Sequence, residues 1–340
     1  MFDPRVLTAL RQAGDQAFRQ LTLVEDELNR RFADSEDAVS ALMLAVASGE
    51  PLLLIGPPGT GKSRLIRAFC GLTGLLDETD PARDHPDYFE YLLTPFTEPS
   101  ELFGFYDIPR AMKGELVRID SGMMQHAIVV YLDEVFNGSS AILNSILAFL
   151  NERVFHDRGM RHPVRLECLL AATNQIPEAP ELRAVFDRFT LRCQLRNIEA
   201  RPESLGTLLR KGWTETYSRH RALPDCADLF ARVANFRGVM TRMTSEGLLV
   251  PESNHPFYRS LAQMVQQARQ YDLSEMSNRR LVKMVHIMVM HRLYRATRAE
   301  EPLDAALSLG SEQLTLIPRY FLDLEDEEIA YKLERVAARA

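Results

Sequence analysis

Apolar positions recur along this chain in two rhythms. Over residues 4–32, Val6, Leu7, Leu10, Phe18, Leu21, Leu23 and Val24 fall at helical spacing among charges, which predicts an amphipathic helix. Asp34 and Ser35 offer caps for a second helix over residues 38–48, with Val39, Leu42, Met43 and Val46 on one side and Gly49 as its stop. The runs then become short and continuous, at residues 52–55, 127–132 and 168–173. Such runs fit strands covered on both faces, as in a parallel sheet. Residues 88–94 and 190–195 read as two further strands.

Between the strands the pattern returns to helices and turns. A helical pattern over residues 64–69 follows the run at 52–55 after a glycine-rich loop. Pro99 and Ser100 start a short helix that ends at Gly104, and residues 114–120 form one arm of a small hairpin. Ser139 or Ser140 caps a helix with Ile142, Leu143, Ile146, Leu147 and Leu150 on its apolar face. Residues 154–156 and 164–166 read as a hairpin turning at residues 157–160, and residues 180–186 as a short helix. His156 and His162 on that hairpin read as surface residues, since no third ligand is spaced to help them hold a metal.

From Pro202 the pattern is helical throughout. Leu205, Leu208 and Leu209 mark one helix; Leu229, Phe230, Val233 and Phe236 a second; Phe257, Leu261, Met264 and Val265 a third. Ser277 caps a fourth, with Leu281, Val282, Met284, Val285, Met288 and Val289. The methionines read as core filler. Residues 241–256 read as a loop, and the acidic run at residues 323–328 as a solvated face within a helical tail. The expected division is an N-terminal helix (1–34), an α/β core (35–198), an all-helical unit (199–300) and a tail (301–340), with the boundary at the composition shift over residues 196–202.

Composition narrows the class. With 340 residues and 46% hydrophobic content, the chain can bury an ordinary core. A net charge of -7 disfavours a dominant nucleic-acid surface. Cys70, Cys168, Cys193 and Cys226 form no C-x-x-C pair, which fits buried thiols in a reducing compartment. Charges interrupt residues 1–19, so no signal peptide is expected, and no apolar run approaches the ~20 residues of a membrane helix. The expected compartment is the cytoplasm.

Candidate chemistry centres on Gly56-Pro57-Pro58-Gly59-Thr60-Gly61-Lys62-Ser63. It lies between a strand and a helix, the context that makes G-x-x-x-x-G-K-[ST] a P-loop. Its glycines let backbone N–H groups converge on phosphate oxygens, assisted by the helix dipole. These eight residues and the adjoining Arg64 form the candidate nucleotide-binding segment. Lys62 is expected to reach the β- and γ-phosphates, and Ser63 to ligate Mg²⁺. A plain glycine turn is the lesser alternative. Asp133 and Glu134 end the run at 127–132, where α/β sheets place ligands. Asp133 is expected to hold the Mg²⁺ hydration shell and Glu134 to polarise the attacking water. Asn174, at the end of another strand, can hydrogen-bond that water or the γ-phosphate. The segment 34–39 is a candidate base pocket; a plain packing helix fits as well.

One P-loop could belong to several NTPase classes, but the combination narrows it. The P-loop, Leu132-Asp133-Glu134, Ala171-Ala172-Thr173-Asn174, Phe186-Asp187-Arg188-Phe189 and Ser277-Asn278-Arg279-Arg280 resemble, in order, Walker A, Walker B, sensor 1, the arginine finger and sensor 2 of AAA+ ATPases. Phe96-Thr97-Glu98-Pro99-Ser100-Glu101-Leu102-Phe103-Gly104, Ser121-Gly122 and Asn151-Glu152-Arg153-Val154-Phe155 are similar to segments of the MoxR family, in particular its RavA-type members. The resemblance covers roughly residues 35–300 and is loose in the lid. It implies five parallel strands flanked by helices, a helix-2 insert at about 95–122, a hairpin before sensor 1 at about 153–168, and a small helical lid. It also implies rings, usually hexamers, in which Arg188 acts on ATP held by the neighbouring subunit. Arg279 is implied to contact phosphates from the lid, with Arg280 as the alternative. Partners with a von Willebrand factor A (vWA) domain, and protein clients matured or remodelled in a chaperone-like way, are implied too. Two other readings stand beside this one. One is a ring NTPase serving a nucleic-acid-processing partner, McrB-like and possibly GTP-using. The other is a scaffold that binds nucleotide without hydrolysing it.

Overall fold

The computed structural model describes residues 4–333, apart from 78, 81–83, 199, 218–221, 250–256, 302–308, 324–330 and 332. The side chains of Leu7 and Leu147, expected on apolar faces, lie outside what is described, as does most of the expected tail.

In chain order, α1 (Pro4–Arg31) and α2 (Glu36–Ser48) lead into β1 (Leu52–Ile55) and α3 (Lys62–Leu72). Next come β2 (Tyr88–Leu92), α4 (Pro99–Phe103), β3 (Phe105–Tyr106), α5 (Ile108–Ala111) and β4 (Arg118–Ile119). β5 (Val129–Asp133) and α6 (Ser140–Glu152) precede the hairpin of β6 (Val154–Asp157) and β7 (Met160–Pro163). β8 (Cys168–Thr173), α7 (Pro180–Phe186) and β9 (Leu191–Gln194) complete the α/β part. All described elements from Pro202 on are helical: α8 (Pro202–Tyr217), α9 (Leu229–Ser245), α10 (Phe257–Gln270), α11 (Asn278–Arg298), α12 (Ser311–Leu314), and short turns at Pro224–Cys226 and Ile317–Phe321.

Five strands form one parallel sheet in the order β2-β5-β8-β1-β9. β1 and β8 are buried at every position, as continuous apolar runs require when both faces are covered. The strand period of two divides them between two cores. Leu52, Leu54, Tyr131, Leu170 and Ala172 face α1–α3 and the later helices. Leu53, Val130, Leu132, Leu169 and Ala171 face α4, α6 and α7. Each fully buried leucine contributes about 2 kcal/mol from removal of its side chain from water.

α2 is buried on nearly every side, not along one face, because it lies between the sheet, α1 and α11. It also begins two residues earlier than its pattern predicts. α1 packs along α9, with Phe18 edge-on to Phe236 at 4.9 Å between centroids. Glu25 of α1 accepts from Tyr294 Oη of α11 over 2.6 Å. The N-terminal helix is therefore a strut within the main core.

Other expectations need correction. The second arm of the 154–163 hairpin is Met160–Pro163, not residues 164–166. Arg158 and Gly159 both have positive φ, 50° and 78°, as a two-residue turn with the sheet's own twist needs, and this sets Asp157 opposite Met160. α9 runs to Ser245, so residues 241–245 are helix, and 250–256 lie outside the described residues. Met284 and Met288 are buried, whereas Val282 is exposed. Leu205, Leu208 and Leu209 do mark a helix, but one whose apolar side is exposed. β3 and β4 pair as a small antiparallel unit with α5 between them.

Candidate active site

The carboxyl ends of β1, β8 and β5 bring the P-loop, Asn174, Asp133 and Glu134 to one edge of the sheet. Ile55 pairs with Thr173 and Leu132 with Ala171, so the three strand ends are level. In the loop after β1, Gly59 and Gly61 take φ of 88° and 85°, a region that costs an L side chain strain. A Cβ at Gly56 would collide with the Leu195 carbonyl of β9's exit. The loop thus passes against the sheet edge and opens its amides at the start of α3, the geometry that a phosphate needs.

Lys62 is buried and folds into this cradle. Its Nζ donates to the carbonyls of Gly56 (2.6 Å) and Pro57 (3.2 Å) and to Asn174 Oδ1 (3.2 Å). Burial lowers its pKa, and the nearby Glu134 and Asp133 carboxylates work against that shift. Thr60 Oγ1 closes the loop on the Pro57 carbonyl at 2.9 Å.

Ser63 Oγ donates to Asp133 Oδ2 over 2.8 Å, and Tyr131 Oη donates to Ser63 Oγ over 3.1 Å. Asp133 Oδ1 accepts the Glu134 backbone N–H at 3.0 Å. Tyr131 was not among the expected site residues. Its position two before Asp133 puts it on the same strand face, which was the available signal. Ser63 and Asp133 form a hard-oxygen pair that fits Mg²⁺, an ion that usually keeps several waters and takes one or two carboxylates plus substrate phosphates. Among the described residues no group of three or more His, Cys, Asp or Glu could hold a metal by itself.

Glu134 sits in the left-handed region, φ 51°, directly after β5. Burial and the neighbouring Asp133 raise its pKa above the usual carboxylate range, against the backbone of Asn174 and the charge of Lys62. A raised carboxylate beside a lysine and an amide is suited to accept a proton.

A cleft of about 410 Å³ adjoins the P-loop, lined by Phe32, Ser35, Gly59, Thr60 and by Leu208 and Gly212 of α8. The base-pocket expectation for residues 34–39 needs shifting toward the α1–α2 linker, because Val39 is fully buried in the core. Arg64 points to α8, where it pairs with Glu215 at 3.3 Å. α8 as a wall of this cleft was not foreseen.

Arg188 stands elsewhere. It follows α7 and precedes β9, whose Leu191 pairs with Leu52 at the opposite end of β1 from the P-loop. Five residue steps separate Pro51 from Gly56, about 16 Å of strand. The side chain is a quarter exposed, 3.7 Å from Asp187, and its Nε is buried without a hydrogen-bond partner among the described residues. One copy of the chain does not bring Arg188 to its own P-loop.

The start of α11 lies with Arg188, not with Lys62. Ser277 caps α11 by accepting from the Arg280 N–H, and its Oγ reaches Asp187 at 3.4 Å. One turn on, Lys283 donates to Glu50, which precedes β1. Arg279 is exposed here, whereas Arg280 is 1% exposed and donates to Ser274, Asp323 and the Phe321 carbonyl. Burial lowers the Arg280 pKa to about 10. Arg280 is thus a buried structural cation, and Arg279 the outward one. A contact from Arg279 to phosphates of its own P-loop does not fit this placement. His156 and His162 are exposed, and all four cysteines are buried thiols.

A family model described as the MoxR domain of MoxR–vWA–β-propeller ternary systems matches residues 19–231, well over half of the chain. The chain belongs to the MoxR family of AAA+ ATPases. Two uncharacterized proteins of Methanocaldococcus jannaschii resemble this MoxR chain, at 33% identity over 186 residues and 34% over 181. The matches cover 54% and 53% of this chain and 46% of each relative, so the chain spans about half their length. A structural protein of Acidianus two-tailed virus is 29% identical over 169 residues, covering 49% of this chain and 26% of that one. A solved structure from Cytophaga hutchinsonii, named by assignment as an ATPase, matches with a TM-score of 0.61 over 98% of both chains. At 15% identity that likeness shows the fold. No described helix is long and apolar enough to cross a membrane.

Proposed function

We propose that this MoxR chain hydrolyses ATP at interfaces between its own copies in a ring. The observation behind the reading is the separation of Lys62 and Arg188 to opposite ends of β1 and β9. A heterologous interface, in which one copy's Arg188 end meets the next copy's P-loop end, repeats head to tail and makes a ring when its rotation closes.

Within one such site, the P-loop amides and Lys62 would hold the phosphates, and the α8 cleft the base. Ser63 Oγ and Asp133 Oδ2 would hold Mg²⁺, which neutralises charge on the phosphate oxygens. Glu134 takes the proton of the attacking water, and Asn174 orients that water from beside Lys62. Arg188 of the neighbour supplies positive charge as the γ-phosphoryl departs, so turnover depends on assembly. Arg279 lies on the same flank as Arg188, which makes it a second cation offered to the neighbour.

The ring would spend turnover on remodelling a protein client, chaperone-like, with a vWA-domain protein as partner. The description of the matching family supports that partner. The nucleic-acid and GTP alternative has no separate observation in its favour. The test is specific activity against protein concentration. It should rise with assembly and level off, and Glu134→Gln should retain ATP and co-purify a vWA-domain protein. Full activity in a strictly monomeric sample overturns the reading.

A further inference from the structure

The finger loop is gripped at both ends by one buried group. Arg192 on β9 is 3% exposed. Its Nη2 donates to the Phe186 carbonyl at 2.9 Å and its Nε to the Phe189 carbonyl at 3.0 Å. Its guanidinium also stacks over the Phe186 ring, 3.8 Å from the centroid. The four residues that carry Arg188 are therefore spanned by a single planar fork, which a lysine could not reproduce.

Asp187 acts on that fork through space, and the carboxylate that hydrogen-bonds it comes from far along the chain. Arg192 Nη1 pairs with Asp323 Oδ1. The same oxygen accepts from Arg280 Nη1 at 2.5 Å, at the start of α11. Asp323 is itself anchored by its N–H to the Leu273 carbonyl at 2.8 Å. Two nearly inaccessible arginines thus share one carboxylate. Without it, the two charges would face each other with no carboxylate bonded between them, and only Asp187 would act on both through space. Burial, and after it the charge of Arg280, press the Arg192 pKa down, against the Asp187 carboxylate. Ser277, whose Oγ accepts the Arg280 N–H, also donates to Asp187, next to Arg188.

We infer that Asp323 is a positioning residue for the Arg188 finger: by bonding Arg192 and Arg280 together it fixes the finger loop to the start of α11. The segment after the lid is then part of the active site of the neighbouring copy. This rests on the reading above, in which Arg188 acts across the interface.

The test is subunit mixing, with phosphate release as the readout. Asp323→Asn keeps the shape and removes the charge. It should lower kcat of the full-length assembled protein about tenfold or more with little change in KM, since nucleotide binding lies on the other flank. Mixed with an equal amount of Glu134→Gln, it should recover. Each site in a heterologous ring faces one finger, so random mixing restores about a quarter of wild-type activity. Asp323→Glu should rescue in part without mixing. If Asp323→Asn does not assemble, Arg192→Lys takes its place and should show the same loss and the same recovery.

Recovery with Glu134→Gln supports the assignment, because a defect in an Asp323→Asn chain's own site or fold is not repaired by a neighbour. Recovery of Arg188→Ala by Glu134→Gln, but not of Asp323→Asn or Arg192→Lys, overturns the positioning role and leaves the trans finger standing. Wild-type activity in both Asp323→Asn and Arg192→Lys overturns it as well. No recovery of Arg188→Ala removes the trans reading and this inference with it.

Discussion

Ser63 Oγ donates to Asp133 Oδ2 over 2.8 Å and so joins the first turn of α3 to the end of β5. The two oxygens come from segments 70 residues apart and meet only because β8 spaces β5 from β1. Ser63→Ala should therefore cost Mg²⁺-supported nucleotide affinity about 10- to 100-fold. Without divalent metal the loss should be small. Titration of a fluorescent nucleotide with Mg²⁺ and with EDTA separates the two; an equal loss in both would show that Ser63 acts on the loop alone.

Glu134 predicts a pH profile. As a base it works deprotonated, so turnover falls as pH drops through its folded pKa. Burial and Asp133 raise that pKa, so the acid limb should lie above the usual carboxylate range. Glu134→Gln should abolish the limb and lower kcat about 10²- to 10⁴-fold while ATP still binds. An acid limb at the position of an exposed carboxylate would contradict the assignment.

Arg279 and Arg280 should separate cleanly by experiment. Arg280→Ala takes a donor from the buried Ser274 hydroxyl and the Phe321 carbonyl and leaves Asp323 to Arg192 alone, at a cost of about 1–3 kcal/mol in stability. Arg279→Ala should leave the melting temperature unchanged and lower the turnover of the assembled protein. Thermal melts beside phosphate-release rates distinguish them; the reverse pattern would exchange the two roles.

The two small hairpins should loosen together. Asp157 of β6 accepts from Tyr106 Oη of β3 and from Arg118 Nη2 of β4, both at 2.7 Å. The Arg118 guanidinium also lies 4.4 Å from the Tyr106 ring centroid. Arg118→Met keeps much of the stem and removes the charge, so hydrogen exchange should quicken in β3–β4 and in β6–β7 alike. Faster exchange in one pair alone would mean that Arg118 does not couple them.

How far the sequence carried this account follows from the range of each signal. The P-loop, the Asp133-Glu134 pair and Asn174 were legible because each ends an apolar strand run, and strand ends converge on one edge of a parallel sheet. Two adjacent arginines on α11 were not separable, because about 100° of helix rotation decides which is buried and only α11's packing fixes that rotation. Asp323 read as the start of a solvated acidic run. Its partners, Arg192 and Arg280, lie 131 and 43 residues away, so no local pattern could mark it. α8 was legible as a helix but not as a wall of the cleft, since its leucines are exposed where the pattern implied a core.

Mixing Arg188→Ala with Glu134→Gln tests the central claim most directly. Each variant alone should release little phosphate, while an equal mixture should recover about a quarter of wild-type turnover, because intact sites then meet intact fingers. A mixture no more active than its separate components, with both assembled and binding ATP, would contradict a site completed by the neighbouring copy.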